Sequence, residues 1–199
     1  MHNVPQVYVY FFIIGGERMD AIEAILSRRT HKVFSGEPVS DEDINTLLKL
    51  ATFAPNHRMT EPWRFHVLRK QHMKRFAEVV TGAITADDHE RLQRKKETLG
   101  KRLPLLGAYI TVGRVPSPQD PLLDKEDYAA CCCAVQNLMV GATAMGIGSF
   151  WSTGKIFERP SVREFLGLPP GLERVASIWL GGLVEEARFH RTDVAQLTE

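Results

Sequence analysis

DKEDYAACCCAVQNLMVGATAM, residues 124–145, runs directly into GIGSFWSTG, residues 146–154, and the change of pattern between the two decides the fold. The first stretch is small and apolar nearly all round, through Ala129, Ala130, Cys131, Cys132, Cys133, Ala134, Leu138, Met139 and Val140. That pattern predicts a long central helix, buried on most sides. Gly146 ends it, and Ser149 to Ser152 reads as a short strand. Downstream, Pro160 and Ser161 open a small helix to Leu166, Pro169-Pro170-Gly171 turns the chain, and Val175 to Leu180 is a final central strand.

Upstream the same alternation holds. Met19 to Arg29 carries Ala21, Ile22, Ile25 and Leu26 as the stripe of an amphipathic helix, with its basic residues in the last turn. Ser40 precedes Asp41, Glu42 and Asp43, an N-cap with acids in the first turn, and Ile44, Leu47, Leu48 and Ala51 form the buried face that follows. Trp63 to Leu68 is a strand, and Gln71 to Val80 and Ala86 to Leu103 are helices, the second dense in charge and solvated. Leu105 to Val112 is a strand interrupted at Gly107, and Arg114 to Pro118 is a loop. Helices interleaved with few strands, without repeats or linkers, indicate one α+β or mixed α/β domain over residues 19–199. Residues 1–18 read as an N-terminal extension, with an apolar run from Val7 to Ile14 too short to span a membrane.

The 199 residues carry 25 Lys and Arg against 24 Asp and Glu, so no bulk field gathers nucleic acid or an anionic membrane. The three cysteines are adjacent, which excludes a disulfide framework and metal-ligand spacing and points to a reducing, cytoplasmic compartment. Gly146-Ile147-Gly148 follows a helix rather than a strand and lacks the third glycine of a dinucleotide fingerprint. Gly148 to Lys155 has Ile156 where a phosphate-binding loop needs a hydroxyl. No G-x-S-x-G or H-E-x-x-H constellation is present, so no side chain stands out as a nucleophile, general acid or metal ligand. Arg28, Arg29 and Thr30 supply two guanidinium forks and a hydroxyl, the kit that holds a phosphomonoester. On these residues alone, arginines complementing a helix dipole is the simpler reading.

Three segments change that balance together. SRRT at 27–30, APNH at 54–57 with PWRF at 62–65, and GIGSFWSTG at 146–154 resemble, in order and separation, the FMN-dependent nitroreductase family, with the closest likeness to its minimal NAD(P)H-using members. The resemblance covers Met19 to Gly182. It implies an α+β fold with a central, mostly antiparallel sheet flanked by helices, in a homodimer with an exchanged C-terminal segment and flavin contacts from both subunits. It implies that Arg28, Arg29 and Thr30 bind the FMN phosphate and ribityl chain, that His57 lies against the flavin site, and that Trp151, Ser152 and Thr153 contact the cofactor. Gly141, Ala142, Thr143, Ala144, Met145 and Gly146 would lie where NAD(P)H enters. Glu61 stands where many relatives have Gln, and Phe53 where near relatives can have a basic residue; both bear on substrate choice. Arg188 or Arg191 would supply a further phosphate-binding cation.

The implied activity is a ping-pong oxidoreductase passing hydride from NAD(P)H through FMN to a nitroaromatic, quinone or similar small acceptor. Catalysis by the cofactor accounts for the missing acid and nucleophile. An FMN storage protein without turnover shares every motif, and a flavin-free helical interaction protein is the rival that treats each motif as structural.

Overall fold

Every position of the strand Ala108–Arg114 is buried, so its sheet has to be covered on both faces. In the computed structural model, which describes residues 19–184 together with Thr192 and Gln196, that strand is β2 of a four-stranded sheet. The others are β1 (Arg64–Arg69), β3 (Ile147–Ser152) and β4 (Glu173–Gly182), in the spatial order β1-β2-β4-β3. Every neighbouring pair is antiparallel. The helices are α1 (Ala21–Ser27), α2 (Asp41–Thr52), α3 (Met73–Gly82), α4 (Glu90–Arg102), α5 (Pro121–Ala144) and α6 (Pro160–Phe165). Residues 1–18 and the tail from 187 to 197, which holds Arg188 and Arg191, lie outside the described residues apart from Thr192 and Gln196.

Side-chain alternation along the strands sorts the core into two layers. Ile110, Val112, Ile178 and Leu180 face α2 and α5, where Ile44, Leu47, Val135 and Leu138 complete one cluster. Tyr109 and Trp179 face the other way, into a cluster with Phe76, Leu99, Leu103 and Val162 from the α3, α4 and α6 side. The buried Tyr109 hydroxyl donates to Ser177 Oγ at 2.5 Å, which satisfies both polar atoms inside the sheet.

Most helix boundaries follow local chemistry. Ser40 caps α2, its hydroxyl accepting from Asp43 N at 3.0 Å and donating to the Asp43 carboxylate at 2.7 Å. The long helix begins three residues earlier than Asp124: Asp120 is its cap, accepting from Leu123 N at 3.0 Å, and Pro121 occupies the first turn. It is covered by α2 and the sheet along one face. Gly146 then takes φ +70°, the left-handed conformation that stops the helix and starts β3.

Two expectations are corrected. Helix α1 is shorter than Met19 to Arg29, and its buried residue is Ala24; Ile22, Ile25 and Leu26 are 71%, 57% and 67% exposed in the single chain. Seven residues capped by Asp20 leave that apolar stripe facing outward. Arg114 is the last residue of β2, not the first of a loop. It is buried because two carboxylates meet it: Asp124 takes both terminal nitrogens, at 2.6 and 2.9 Å, and Glu173 accepts at 2.6 Å. This clasp ties the end of β2 to the start of β4 and the first turns of α5.

The Arg114 guanidinium and the Ser117 amide beside it hold the Asp124 carboxyl down at about 2. A carboxyl depressed in the folded state contributes stability that is present above its unfolded value of roughly 4 and is lost as pH falls toward the folded one. Asp124→Asn should therefore lower the melting temperature at pH 6, and the gap to wild type should close between pH 4 and pH 2. Thermal unfolding followed by circular dichroism across that range checks it; a gap independent of pH would assign the effect to something other than the charge.

Candidate functional site

The edge strand β3 brings two of the sequence motifs together. After α1, whose carboxyl end is capped by the Arg28 amide bonding Ala24 O at 3.0 Å, the chain lies along the sheet. His31 N donates to Ser149 O and Ser35 N to Gly182 O, both at 3.0 Å. This approach needs glycine on the sheet: a Cβ on Gly181 would sit 3.0 Å from the Phe34 side chain, and one on Gly148 would sit 3.3 Å from the Phe34 ring. Arg28, Arg29 and Thr30 are thereby delivered beside the strand that carries Trp151 and Ser152.

Arg28 and Arg29 are half-buried and Thr30 is exposed. The Arg29 guanidinium folds back onto the end of α1, donating to Leu26 O at 2.6 Å and Arg28 O at 3.0 Å, so the helix-end role is realised in this state. Trp151 is half-buried in the α5-side cluster, and its indole nitrogen is buried without an acceptor. Ser149 Oγ on the same strand is also unpartnered. Ser152 is buried, its hydroxyl accepting from Gly154 N at 3.3 Å, whereas Thr153 is exposed.

The turn after β3 is held from below by Arg174, which sequence reading did not single out. Its guanidinium donates to Ser152 O at 3.4 Å, Gly154 O at 3.1 Å and Glu158 at 2.5 Å, with the side chain only 4% exposed. Lys32, two residues beyond Thr30, places its ammonium 5.9 Å over the Phe150 ring. Neither had a local signal: Arg174 follows its partners by 16 to 22 residues in the chain and meets them only on folding, and Lys32 is one of many surface lysines.

His57 belongs to a different part of the chain surface, beside the first turns of α5, where its Nδ1 lies 2.8 Å from Glu126. Its turn is strained, with Arg58, Met59 and Glu61 at φ +58°, +51° and +44°. Asn56 stabilises that shape by accepting from Glu61 N at 2.7 Å and donating to Thr60 Oγ1 at 3.0 Å. Thr60 donates to buried Asp127 at 2.5 Å, and Arg58 pairs with Asp120 at 3.3 Å. Two bonds to α5 and one to its cap residue Asp120 thus overdetermine the conformation. Phe53, which caps α2, and Met59 are 75% and 77% exposed beside this turn in sequence.

Gly141 and Ala142 are buried at the α2 contact, where a Cβ on Gly141 would come 2.4 Å from Leu50. Thr143 Oγ1 bonds Met139 O at 3.1 Å; Ala144 and Gly146 are exposed and Met145 is half-buried. The run therefore divides into a packing half and an accessible half at the helix end.

The cysteines lie on α5, Cys131 buried and the other two half-buried, and none forms a disulfide. Burial pushes the Cys131 thiol up to about 12 and raises Cys132 as well, so both stay protonated and unreactive near neutrality. Among the described residues no His, Cys, Asp and Glu cluster has the makings of a metal site, and no helix is long and apolar enough to cross a membrane.

The sheet order, the long central helix and the basic, glycine-lined edge at β3 define an α+β domain of the nitroreductase-like class. Residues 25–182 match the sequence profile described as the Nitroreductase family, and the chain belongs to that family, an oxidoreductase family. It is 35% identical over 170 residues to YfhC of Bacillus subtilis, whose name places it among the NAD(P)H nitroreductases; the match covers 83% of this chain and 84% of the relative. The nitrobenzene nitroreductase of Ectopseudomonas oleovorans is 26% identical over 80% of this chain and 85% of its own. The nitroreductase-like family protein of Bacillus cereus superposes with a TM-score of 0.80 at 26% identity, covering 94% of this chain and 98% of that one. The FMN-dependent nitroreductase NfnB of Mycobacterium smegmatis, solved with NADPH, shares the fold with a TM-score of 0.73 at 21% identity, over 90% and 97% of the two chains.

Replacing Cys131 by Ala should cost about 1 kcal/mol, the price of a small cavity, and leave any bound flavin in place. In the native protein at pH 8, iodoacetamide should spare Cys131 and label it only after unfolding, as peptide mass mapping would report. Fast native labelling of Cys131, or loss of turnover in the Ala variant with fold and flavin intact, would reveal a redox role.

Proposed function

We propose that this chain is an FMN-dependent oxidoreductase that takes reducing equivalents from NAD(P)H and passes them to a nitroaromatic, quinone or similar small acceptor. The observation that carries the reading is the His31–Ser149 backbone bond, which sets the Arg28–Thr30 segment beside the Trp151–Thr153 segment. The residues present fit the cofactor. Arg28 and Arg29 are cations suited to a phosphate, and the orphaned Trp151 indole N–H lacks the acceptor that a flavin carbonyl would provide. Binding FMN would require Arg29 to exchange its carbonyl contacts for the phosphate, a trade from neutral to charge-assisted hydrogen bonds.

When bound, FMN supplies a ring nitrogen that accepts hydride and gives it up again, which a protein of this composition cannot do with its own side chains. The chain's contribution is positioning. Arg28 and Arg29 anchor the phosphate, Arg174 fixes the backbone of residues 152–154 against which the ring would rest, and Trp151 closes one side. The exposed end of α5, Thr143 to Gly146, is the accessible part of the surface assigned to NAD(P)H. The order of the two half-reactions in this reading is ping-pong, donor and acceptor reacting in turn.

The working unit in this reading is a homodimer. Ile22, Ile25 and Leu26 present an apolar face that a single chain leaves exposed, and such a face in a folded chain marks association. His57, paired with Glu126 beside the first turns of α5, would serve the partner's flavin. Three unpaired thiols support a cytoplasmic location.

Purified protein reconstituted with FMN should oxidise NAD(P)H steadily when a nitroaromatic or quinone is supplied. No turnover in a fully loaded sample would favour a storage role, and no flavin absorbance after reconstitution would refute flavin binding. Arg28→Ala should weaken FMN by roughly 10- to 100-fold, since a hydrogen bond to a charged group is worth about 1.5 to 3 kcal/mol, and should leave riboflavin unaffected. Equal losses for the two ligands would remove Arg28 from the phosphate.

Dimer and flavin should also be lost together on dilution, because each state stabilises the other by mass action. Analytical ultracentrifugation with detection at flavin wavelengths tests this. A monomer retaining tight FMN would overturn the interface placement.

A further inference from the structure

Helix α4 sorts its charges by face. Arg94 pairs with Glu90 at 3.3 Å and Lys101 with Glu97 at 2.5 Å, each one turn away on the solvent side. Arg91, Lys95 and Arg102 recur at intervals of four and seven residues, which places them on one other face with Leu99. That face overlooks a cleft of about 550 Å³, whose opposite rim carries Lys32 and Lys155. No carboxylate lines it. Among the described residues none of these five cations has an ion-pair partner, whereas on the rest of the helix Arg94 and Lys101 are paired and Lys96 donates to Ile84 O. Five like charges around one cleft repel each other and concentrate a positive field in it, a cost that a bound anion removes.

The floor is aromatic. Phe150 meets Trp179 edge to face at 5.0 Å between ring centroids, and Phe157 meets Trp179 at 6.2 Å and 90°. Ser152 and Gly154 complete the wall, so the cleft adjoins the segment to which the flavin is assigned. The cleft lies on the Phe150 face of β3, opposite the face on which Trp151 packs toward α5. Apolar rings below and unpaired cations above suit a planar aromatic molecule with an anionic substituent.

We propose that the cleft between α4 and β3 binds an aromatic carboxylate, with the ring on Phe150 and Trp179 and the carboxylate held by Arg91 and Lys95. That this ligand is the electron acceptor rests on the proposed reductase activity; its binding does not. The preference is for an anionic acceptor over a neutral one of the same shape.

The isosteres 4-nitrobenzoate and 4-nitrobenzamide test it on FMN-loaded protein. Calorimetric titration without NAD(P)H should show the benzoate binding about tenfold more tightly at low salt, the advantage shrinking as salt is raised. The exposed pair Arg91→Ala/Lys95→Ala should abolish that advantage while leaving benzamide affinity, benzamide reduction and flavin content unchanged. Reduction kinetics should show the same discrimination, carried by KM.

Equal binding of the two isosteres by the wild type, or equal losses in the variant, would overturn the proposal. Loss of flavin in the variant would overturn it too, since the cleft would then be holding the cofactor's own phosphate. Charge-dependent binding with neither compound reduced would leave the binding site standing and remove the bound ligand from the role of electron acceptor.

Discussion

The burial of β2 on both faces is the constraint from which the rest of the architecture follows. A strand with Ile110 and Val112 on one side and Tyr109 on the other cannot lie at a surface, so it must be flanked by strands and roofed by helices above and below. The neighbours β1 and β4 meet the first need, and α2 with α5 and α3 with α4 and α6 meet the second. The same burial makes Arg114 at the strand's end expensive unless it is paired. Its two carboxylate partners come from β4 and α5, so the demand of one buried charge fixes three elements relative to one another. A buried cation met by two acids is a device for register more than for net stability.

With β2 and β4 central, β3 is left at an edge, where unpaired backbone groups invite association with other chains. The segment after α1 covers part of that edge through the His31–Ser149 bond. Edge protection and site construction are therefore one feature. The strand that needs covering is the one beside which Arg28 to Thr30 are delivered, and the glycines that admit the covering chain, Gly148 and Gly181, leave no side chains between it and the sheet.

Legibility in the sequence tracked the range of the interaction. Helix α2, with a cap and an apolar face contained in twelve residues, was readable from end to end, as was the charged character of α4; the four strands were located with ends displaced by up to three residues. Asp120-Pro121 was an equally local helix start, but the surrounding prolines read as loop. The face of α1 was misjudged because periodicity identifies a stripe without saying whether this chain or another covers it. Gly107 reads as a strand interruption; it precedes β2, and its lack of a side chain is required because a Cβ there would meet Glu37 O at 2.5 Å, a contact with a residue 70 positions away. The site motifs were visible as an ordered set. Lys32, Arg174 and the three left-handed residues after His57 were not, since their significance lies in partners that only folding brings near.

The two faces of β3 differ in how firmly they are covered. Trp151 points into the α5 cluster while Phe150 and Ser152 face α4, a consequence of the two-residue repeat. The backbone between them is held by Arg174 from β4 and so is common to both. The α5 side is a closed core, with Cys131 and Ala134 fully buried; the α4 side is roofed by a helix whose only buried residue is Leu99. A layer attached by so little apolar surface is the part of the fold with the lowest local stability and the greatest latitude to adjust. The α5 face of β3 is thus firmly packed, and the α4 face lies under the layer with the most latitude to adjust.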